Sequence, residues 1–338
     1  MITLVIPTRN RPDFLGRALS YYAERGFGHP VMVADSSDEE HLRQNQSLLG
    51  SLRGGLLGTQ EAFAGDTPVL TKLSRTLEKV QTPYVAFGSD DDFFVPEALE
   101  KGVRFLETHS DFSVAHGEAV LFGLRSGTTH GEMAWMKPYP QRTIAQETGS
   151  ERLLEHLSCY TSTWYSVHRT DLLKDSLRQA APLDLDYFFL EMVPSCLDLI
   201  QGKAMRMEGL YMARQSHPGT TSSDGTGSSF DPFAWVAGSE WARQYQRFEA
   251  CLANALAGKD RIGLDEAKGV LKEGFWSYLV RILSTRWENR YGRSQPRPPS
   301  PIRQAALAVP GLPDLWRRAR RATYPPPFMP IHQAVTNG

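Results

Sequence analysis

Short unbroken apolar runs alternate with amphipathic stretches through the first hundred residues. Leu4-Val5-Ile6 and Val31-Met32-Val33-Ala34 are the first two runs, and between them Phe14, Leu15, Ala18, Leu19 and Tyr22 recur at helical spacing. Leu73, Leu77 and Val80 mark a second helix face, Tyr84-Val85-Ala86-Phe87 a further buried strand, and Pro96 opens a helix carrying Leu99, Val103 and Leu106. Strands alternating with helices in this way predict a mostly parallel sheet covered on both faces, whose ligands bind beyond the carboxyl ends of the strands. The residues that directly follow each strand are therefore the candidates for chemistry.

Beyond about residue 112 the order becomes mixed. Strands are predicted over 112–116, 119–124 and 204–213, a helix capped by Ser150, and an aromatic-rich helix over 186–201. Ser, Thr and Gly crowd 216–229, the composition of a mobile loop beside strand ends. From about Phe230 the periodicity is helical, with Trp235, Trp241, Tyr245 and Phe248, then Phe275, Trp276, Tyr278 and Leu279; past Arg286, Pro and Arg interrupt regular structure. The chain thus divides into an α/β part at 1–225, with halves at 1–115 and 116–225, and a separate helical region at 226–338 ending in a Pro/Arg-rich tail.

Composition narrows the class. Hydrophobic residues at 41% and charged residues at 22% of 338 positions suit a globular chain able to build a core. A formal net charge of -1 gives no drive toward nucleic acid. Cys159, Cys196 and Cys251 are odd in number and lack a CxxC pair, which argues against a disulfide framework or a thiolate zinc site and fits a reducing cytoplasm. The opening apolar run is too short for a signal peptide, and no segment approaches 18 apolar residues, so a cytoplasmic location is expected. Arg317-Arg318 and Arg320-Arg321 beside Leu315 and Trp316 offer a peripheral contact with an anionic inner membrane face; a flexible tail or a homo-oligomer contact are the open alternatives.

The acidic run Asp90-Asp91-Asp92 follows the strand at 84–87. Three consecutive carboxylates repel one another, which raises their pKa values or costs folding energy unless a cation or hydrogen-bond donors compensate. A divalent metal is the economical compensation, since Mg2+ or Mn2+ commonly binds one or two carboxylates together with diphosphate oxygens; a solvated acidic turn is the plain alternative. Lys72 and Arg75 precede this strand, as phosphate contacts or as solvated helix charges. Trp164 and Tyr165 are either a stacking wall for a sugar or core.

Three stretches, Val5-Ile6-Pro7-Thr8-Arg9-Asn10-Arg11-Pro12, Val33-Ala34-Asp35-Ser36-Ser37-Asp38 and Phe87-Gly88-Ser89-Asp90-Asp91-Asp92-Phe93-Phe94-Val95-Pro96, together resemble the family 2 glycosyltransferases. The resemblance covers roughly 1–220, most persuasively the first 110 residues. It implies a GT-A fold, a Rossmann-like mixed sheet flanked by helices, here with a C-terminal helical appendage. It further implies inverting transfer of a sugar from a nucleoside-diphosphate sugar to a hydroxyl of a glycan or lipid-linked acceptor, in cell-surface glycan synthesis and with Mn2+ or Mg2+ as cofactor. Donor contacts would come from Pro7, Thr8, Arg9, Arg11, Lys72, Ser89 and Asp90, and Asp35 would accept the ring N–H of the base. Asp91 would be the metal ligand. Ser89 stands where the common D-x-D-D pattern has its first acid, which leaves the role of Asp90 open. In Leu183-Asp184-Leu185-Asp186, Asp184 takes the place of the catalytic base and Asp186 competes with it; the usual Glu-Asp pair is absent, and a helix-capping role stays open for both. The stretch 214–220 resembles a segment in which Arg and His approach metal or diphosphate, making His217 a second metal ligand or an exposed loop side chain.

Two other classes remain. A catalytically inert nucleotide- or glycan-binding domain fits if Asp184 and Asp186 are both structural. A sugar-1-phosphate nucleotidyltransferase would carry a Gly-rich loop after the first strand, where this chain has Thr8-Arg9-Asn10-Arg11. Sugar, base and acceptor are not readable from the sequence.

Overall fold

A computed structural model describes residues 1–51, 56–125, 129–217, 231–291 and 324–336. Strand β1 (Ile2–Thr8), helix α1 (Pro12–Glu24), β2 (Val31–Asp35), α2 (Glu39–Ser51) and β3 (Gly58–Ala62) open the chain, and the three strands are parallel. Helix α3 (Val69–Glu78) leads to β4 (Tyr84–Phe87), which pairs in parallel with the other edge of β1. All four residues of β4 are buried, the reason it reads as an unbroken apolar run. Side chains alternate along each strand. Ile2, Leu4 and Ile6 enter one hydrophobic cluster with Ala86, while Val5 enters the cluster on the opposite face with Val85 and Phe87.

The second half adds β5 (Phe93–Phe94), α4 (Pro96–Thr108), β6 (Phe112–Leu124), β7 (Met133–Tyr139), α5 (Gly149–Ser158), β8 (Val167–Arg169), α6 (Thr170–Ala180), α7 (Tyr187–Gln201) and β9 (Lys203–Gln215). The sheet runs β3-β2-β1-β4-β8-β6-β9-β5, with β7 paired to β6. Because β8 is antiparallel to both β4 and β6, the sheet is mixed, and helices flank it on both faces. This order brings the ends of β1, β4 and β9 to one place.

Two local expectations change. The predicted strands at 112–116 and 119–124 are one strand, β6, whose register shifts beside Gly117. A Cβ on Gly117 would lie 2.7 Å from Tyr211 Cβ, so glycine here permits a close approach and does not end the strand. Helix α5 is capped by Thr148, not Ser150: the Thr148 hydroxyl accepts from Glu151 N–H and the Glu151 carboxylate accepts from Thr148 N–H, both at 3.1 Å. Ser150 bonds Asp260 instead.

The C-terminal region forms α8 (Pro232–Ala237), α9 (Trp241–Asp260), α10 (Leu264–Tyr291) and α11 (Met329–Thr336). Helices α9 and α10 bury Phe248, Leu252, Leu256, Leu271, Phe275 and Leu279 in the cluster that also holds Val5, Phe87 and Phe189, so they share the core of one sheet face. On the other face, Phe328 together with Ile331 and Val335 of α11 joins the cluster of Ile2, Leu4 and Phe122. The basic tail at 317–321 with Trp316, and most of the Ser/Thr/Gly loop, lie outside the described residues. Among the described residues no helix is long and apolar enough to cross a membrane, and the three cysteines are unpaired thiols.

Candidate active site

The triple aspartate does not face bulk water. Asp90, Asp91 and Asp92 are all buried, and each carboxylate is met by protein donors. Asp90 accepts from the Thr8 hydroxyl at 2.7 Å and from Arg11 Nη1 at 2.9 Å. Asp91 accepts from Arg11 Nη2 at 2.8 Å and from the Ser89 hydroxyl, and its carbonyl accepts from Arg17 Nη2 at 3.0 Å. Asp92 accepts from Arg214 Nε at 3.2 Å and from Gln215 N–H at 2.9 Å. His217 Nε2 lies 2.9 Å from both Asp91 Oδ2 and Arg11 Nη2. The mutual repulsion that made a metal the economical compensation is thus offset by three guanidiniums. Burial and then the charge of Asp91 push Asp90 up to about 7 and Asp92 up to about 6. Burial alone would raise Asp91 as well, but the His217 hydrogen bond and the Arg11 charge hold it below the usual carboxylate range.

Phe14 organises the cationic side of the cluster. Its ring lies 4.4 Å from the Arg11 guanidinium and stacks on the His217 ring at 4.7 Å. Among the described residues no group of three or more His, Cys, Asp or Glu side chains is arranged to hold a metal ion by itself. Asp91 Oδ2 and His217 Nε2 nevertheless converge at a separation of 2.9 Å, which matches neighbouring ligands in a shell with bonds of about 2.1 Å. The donor set fits a divalent cation when a ligand adds further oxygens and Arg11 Nη2 gives up the shared point.

Other expected donor contacts have local duties. Asp35 is fully buried and turned toward α2 and β3, accepting from Ser37 N–H at 2.9 Å, Asn45 Nδ2 at 2.6 Å and Gln60 Nε2 at 2.9 Å. These three donors, on a carboxylate with about four lone-pair sites, tie the β2–α2 turn to β3. Lys72 is not a solvated charge: its ammonium is buried and donates to the Thr8 carbonyl at 3.2 Å and the Ser36 hydroxyl at 2.9 Å. That burial lowers it to about 8. Arg9 and Arg75 are exposed, and Pro7 is half-buried opposite Ala34 in the β1–β2 ladder.

A cavity of about 410 Å³ opens beside the acidic cluster. Arg11, Ser89, Asp91 and Asp92 form one wall; Tyr139, Tyr160, Tyr165, Phe188, Glu191, Met192, Arg214 and Tyr278 form much of the rest. Arg214 lies over the Tyr165 ring at 4.2 Å and the Tyr139 ring at 5.1 Å. Of the two aromatics considered as a sugar platform, only Tyr165 reaches the cavity; Trp164 packs on Phe87 in the core at 5.2 Å. A larger cavity of about 880 Å³ lies between α1, α2 and α11, lined by Arg17, Gln44, Ser47, Thr129 and His130 among others but by none of the three buried aspartates.

Neither acid proposed as base lines the smaller cavity. Asp184 sits past a 3-10 turn at φ 48°, its side chain 90% exposed and 3.7 Å from Arg247. Asp186 caps α7: Oδ1 accepts from Phe188 and Phe189 N–H at 3.0 and 3.1 Å, and Oδ2 from Trp235 Nε1 at 2.8 Å. Glu191, one turn further along α7, does reach the cavity. Its signal was present in the sequence, as the only acid in 187–197 and on one helix face with Phe188 and Met192.

No protein-family model matches the chain. Among solved structures it is similar to residues 1–349 of S. aureus TarS in complex with UDP-GlcNAc, at 15% identity and a TM-score of 0.47, covering 86% of this chain and 92% of that one. It is also similar to the mannosyltransferase PcManGT from Pyrobaculum calidifontis in complex with GDP-Man and Mn2+, at 12% identity and a TM-score of 0.43, covering 99% and 84%. Against a longer S. aureus TarS chain, at 16% identity and a TM-score of 0.43, the match covers 75% of this chain but only 43% of that one.

Proposed function

We propose that the chain is an inverting glycosyltransferase of the family 2, GT-A type, transferring a sugar from a nucleoside-diphosphate donor to a hydroxyl of a glycan or lipid-linked acceptor. The observation that carries this reading is one cavity with the Asp91–Arg11 pair on one wall, backed by His217, and tyrosines on the others. The motif stretches that resemble the family fall at or just beyond the carboxyl ends of β1, β2 and β4, where open α/β sheets bind ligands. Arg11 and Arg214 present planar guanidiniums of the kind that recognise phosphate oxygens in pairs. As the glycosidic bond to the donor breaks, negative charge grows on the departing diphosphate, and fixed cations in a water-poor site stabilise it. Mn2+ or Mg2+, held by Asp91 and His217, would supply further neutralisation of that leaving group. Tyrosine faces suit the apolar faces of sugar rings, and an acceptor attacking opposite the leaving group inverts the anomeric centre.

Thermal-shift titration of the full chain with UDP, GDP and TDP, each with and without MnCl2, tests the reading. A ligand that binds only the native state at about 100 times its Kd adds about 2.7 kcal/mol of apparent stability, so one nucleotide should raise the Tm clearly. Manganese-dependent hydrolysis of the matching nucleotide sugar, lost in Asp91→Asn with folding retained, separates an enzyme from an inert binding domain. No shift with any of the three nucleotides sinks the proposal.

A further inference from the structure

We infer that Glu191, rather than either acid at the start of α7, is the general base that takes the proton from the attacking hydroxyl; this rests on the glycosyltransferase reading above. Glu191 lines the same cavity as Asp91 and Asp92, on the wall that α7 supplies. The two rival acids are spent. Asp186 has both oxygens engaged in capping α7 and holding the Trp235 indole, and Asp184 points to solvent beside Arg247. Among the described residues the Glu191 carboxylate takes part in no hydrogen bond or ion pair, while its backbone carbonyl accepts from the Ser195 hydroxyl at 3.0 Å. A carboxylate left without a partner in a half-enclosed cavity is available to receive a proton.

Its charge also reaches the aromatic side of the cavity and Arg214. Glu191 acts electrostatically on Tyr139 at the end of β7, Tyr160 after α5, Arg214 on β9 and Tyr278 on α10, all of them lining residues. It therefore faces inward toward the space those residues enclose. A second cavity, also of about 410 Å³, shares Tyr160, Phe188 and Tyr278 with the first and extends along α10 to Ile282 and Thr285. Phe188 lies one helical turn before Glu191, so the base stands beside the aromatic wall common to both chambers. The second chamber is room for an acceptor whose hydroxyl reaches the first.

The step balances as follows. The acceptor O–H bond breaks as its oxygen bonds to the anomeric carbon; the bond from that carbon to the diphosphate oxygen breaks, and its electron pair leaves with the nucleoside diphosphate. The proton ends on the Glu191 carboxylate and passes to solvent.

The test uses the full chain with MnCl2 and UDP-GlcNAc, UDP-glucose, GDP-mannose and TDP-glucose, with water as acceptor, following release of nucleoside diphosphate. Glu191→Gln should bind the corresponding nucleoside diphosphate as the wild type does and melt at the same temperature, while kcat for release falls by about 100-fold or more, the usual contribution of a positioned base. Glu191→Asp should recover part of the loss. Wild-type-like release by Glu191→Gln overturns the assignment, as does a loss of nucleotide binding parallel to the loss of kcat. So does abolition by Asp186→Asn with Glu191→Gln unaffected, or a wild type that binds nucleoside diphosphate yet releases none from any donor. If Glu191→Gln melts lower, its kcat for release is read well below its melting temperature, and undiminished kcat there counts against the base. Failure of the wild type to bind UDP, GDP or TDP is a different result, which removes the glycosyltransferase reading itself.

Discussion

Arg11 Nη2 lies 2.8 Å from Asp91 Oδ2, and 2.9 Å from His217 Nε2, so one guanidinium holds the point on which an acid and an imidazole converge. A divalent cation at that point must displace Arg11, and a donor diphosphate gives the displaced guanidinium a new partner. Manganese alone should therefore bind weakly, and manganese with nucleoside diphosphate cooperatively. Arg11→Gln removes the competitor, so Mn2+ affinity without nucleotide should rise by about tenfold, while nucleoside-diphosphate affinity falls by a similar factor. Titration of free Mn2+ by electron paramagnetic resonance reads the first effect and calorimetry the second. Unchanged Mn2+ binding in Arg11→Gln contradicts the competition.

Lys72 gives a pH dependence of defined sign. Burial lowers its folded-state pKa to about 8, with Asp35 and Asp90 opposing, whereas an unfolded lysine titrates near about 10.4. Between those values the unfolded chain binds more protons, so stability attributable to Lys72 increases as pH rises through that window. Urea unfolding of the wild type and of Lys72→Met from neutral pH to pH about 10 should show the difference moving in the wild type's favour. A difference that stays constant or runs the other way refutes the buried-ammonium account.

Strands β1, β2 and β4 were readable because each is a short apolar run, and the parallel-sheet rule pointed to their carboxyl ends, beyond which Asp90 to Asp92 stand. What balances those acids was not readable. Arg214 meets Asp92 across 122 positions, and Arg17 lies inside α1, where a helical arginine looks like any solvated charge. The identity of the free carboxylate was hidden for a similar reason. An acid at a helix start and an acid one turn later are equivalent in sequence until Trp235 and the first-turn N–H groups occupy Asp186. Gly117 falls in the gap between the two strands predicted at 112–116 and 119–124, and only Tyr211 on the neighbouring strand reveals it as a packing site within one strand.

Asp260 ties the end of α9 to the start of α5. Its carboxylate accepts from Gly149 N–H at 2.8 Å and Ser150 N–H at 2.7 Å, and from the Ser150 hydroxyl at 2.6 Å, a negative charge set against the positive end of a helix. Burial opposes ionisation, but the bonds from Ser150 and Gly149 hold Asp260 below the ordinary carboxylate range. Its contribution is therefore present at neutral pH and lost on acidification through its folded pKa. Asp260→Asn should cost about 1–2 kcal/mol at neutral pH, lowering the Tm by roughly 2 °C in a chain of this size. Calorimetric scans of both proteins should converge in strong acid, and a gap that persists there contradicts the ionic cap.

A chain ending at residue 225 tests whether the C-terminal helices are an addition or part of the core. Removing α9 and α10 strips Phe248, Leu252, Leu256, Leu271, Phe275 and Leu279 from the cluster that covers Leu153, Leu157, Phe189 and Leu197. At about 1.5–3 kcal/mol for each large apolar side chain, the loss is on the order of 10 kcal/mol, comparable to the whole stability of a typical domain. The same cut removes Tyr278, one wall of the cavity that holds Asp91 and Glu191. The shortened chain should lose near-ultraviolet circular dichroism and bind anilinonaphthalene sulfonate strongly, the behaviour of a collapsed state without fixed packing. A cooperative melting transition in it, with nucleotide binding intact, would show that the α/β part stands alone and that the aromatic cluster on α9 and α10 is dispensable.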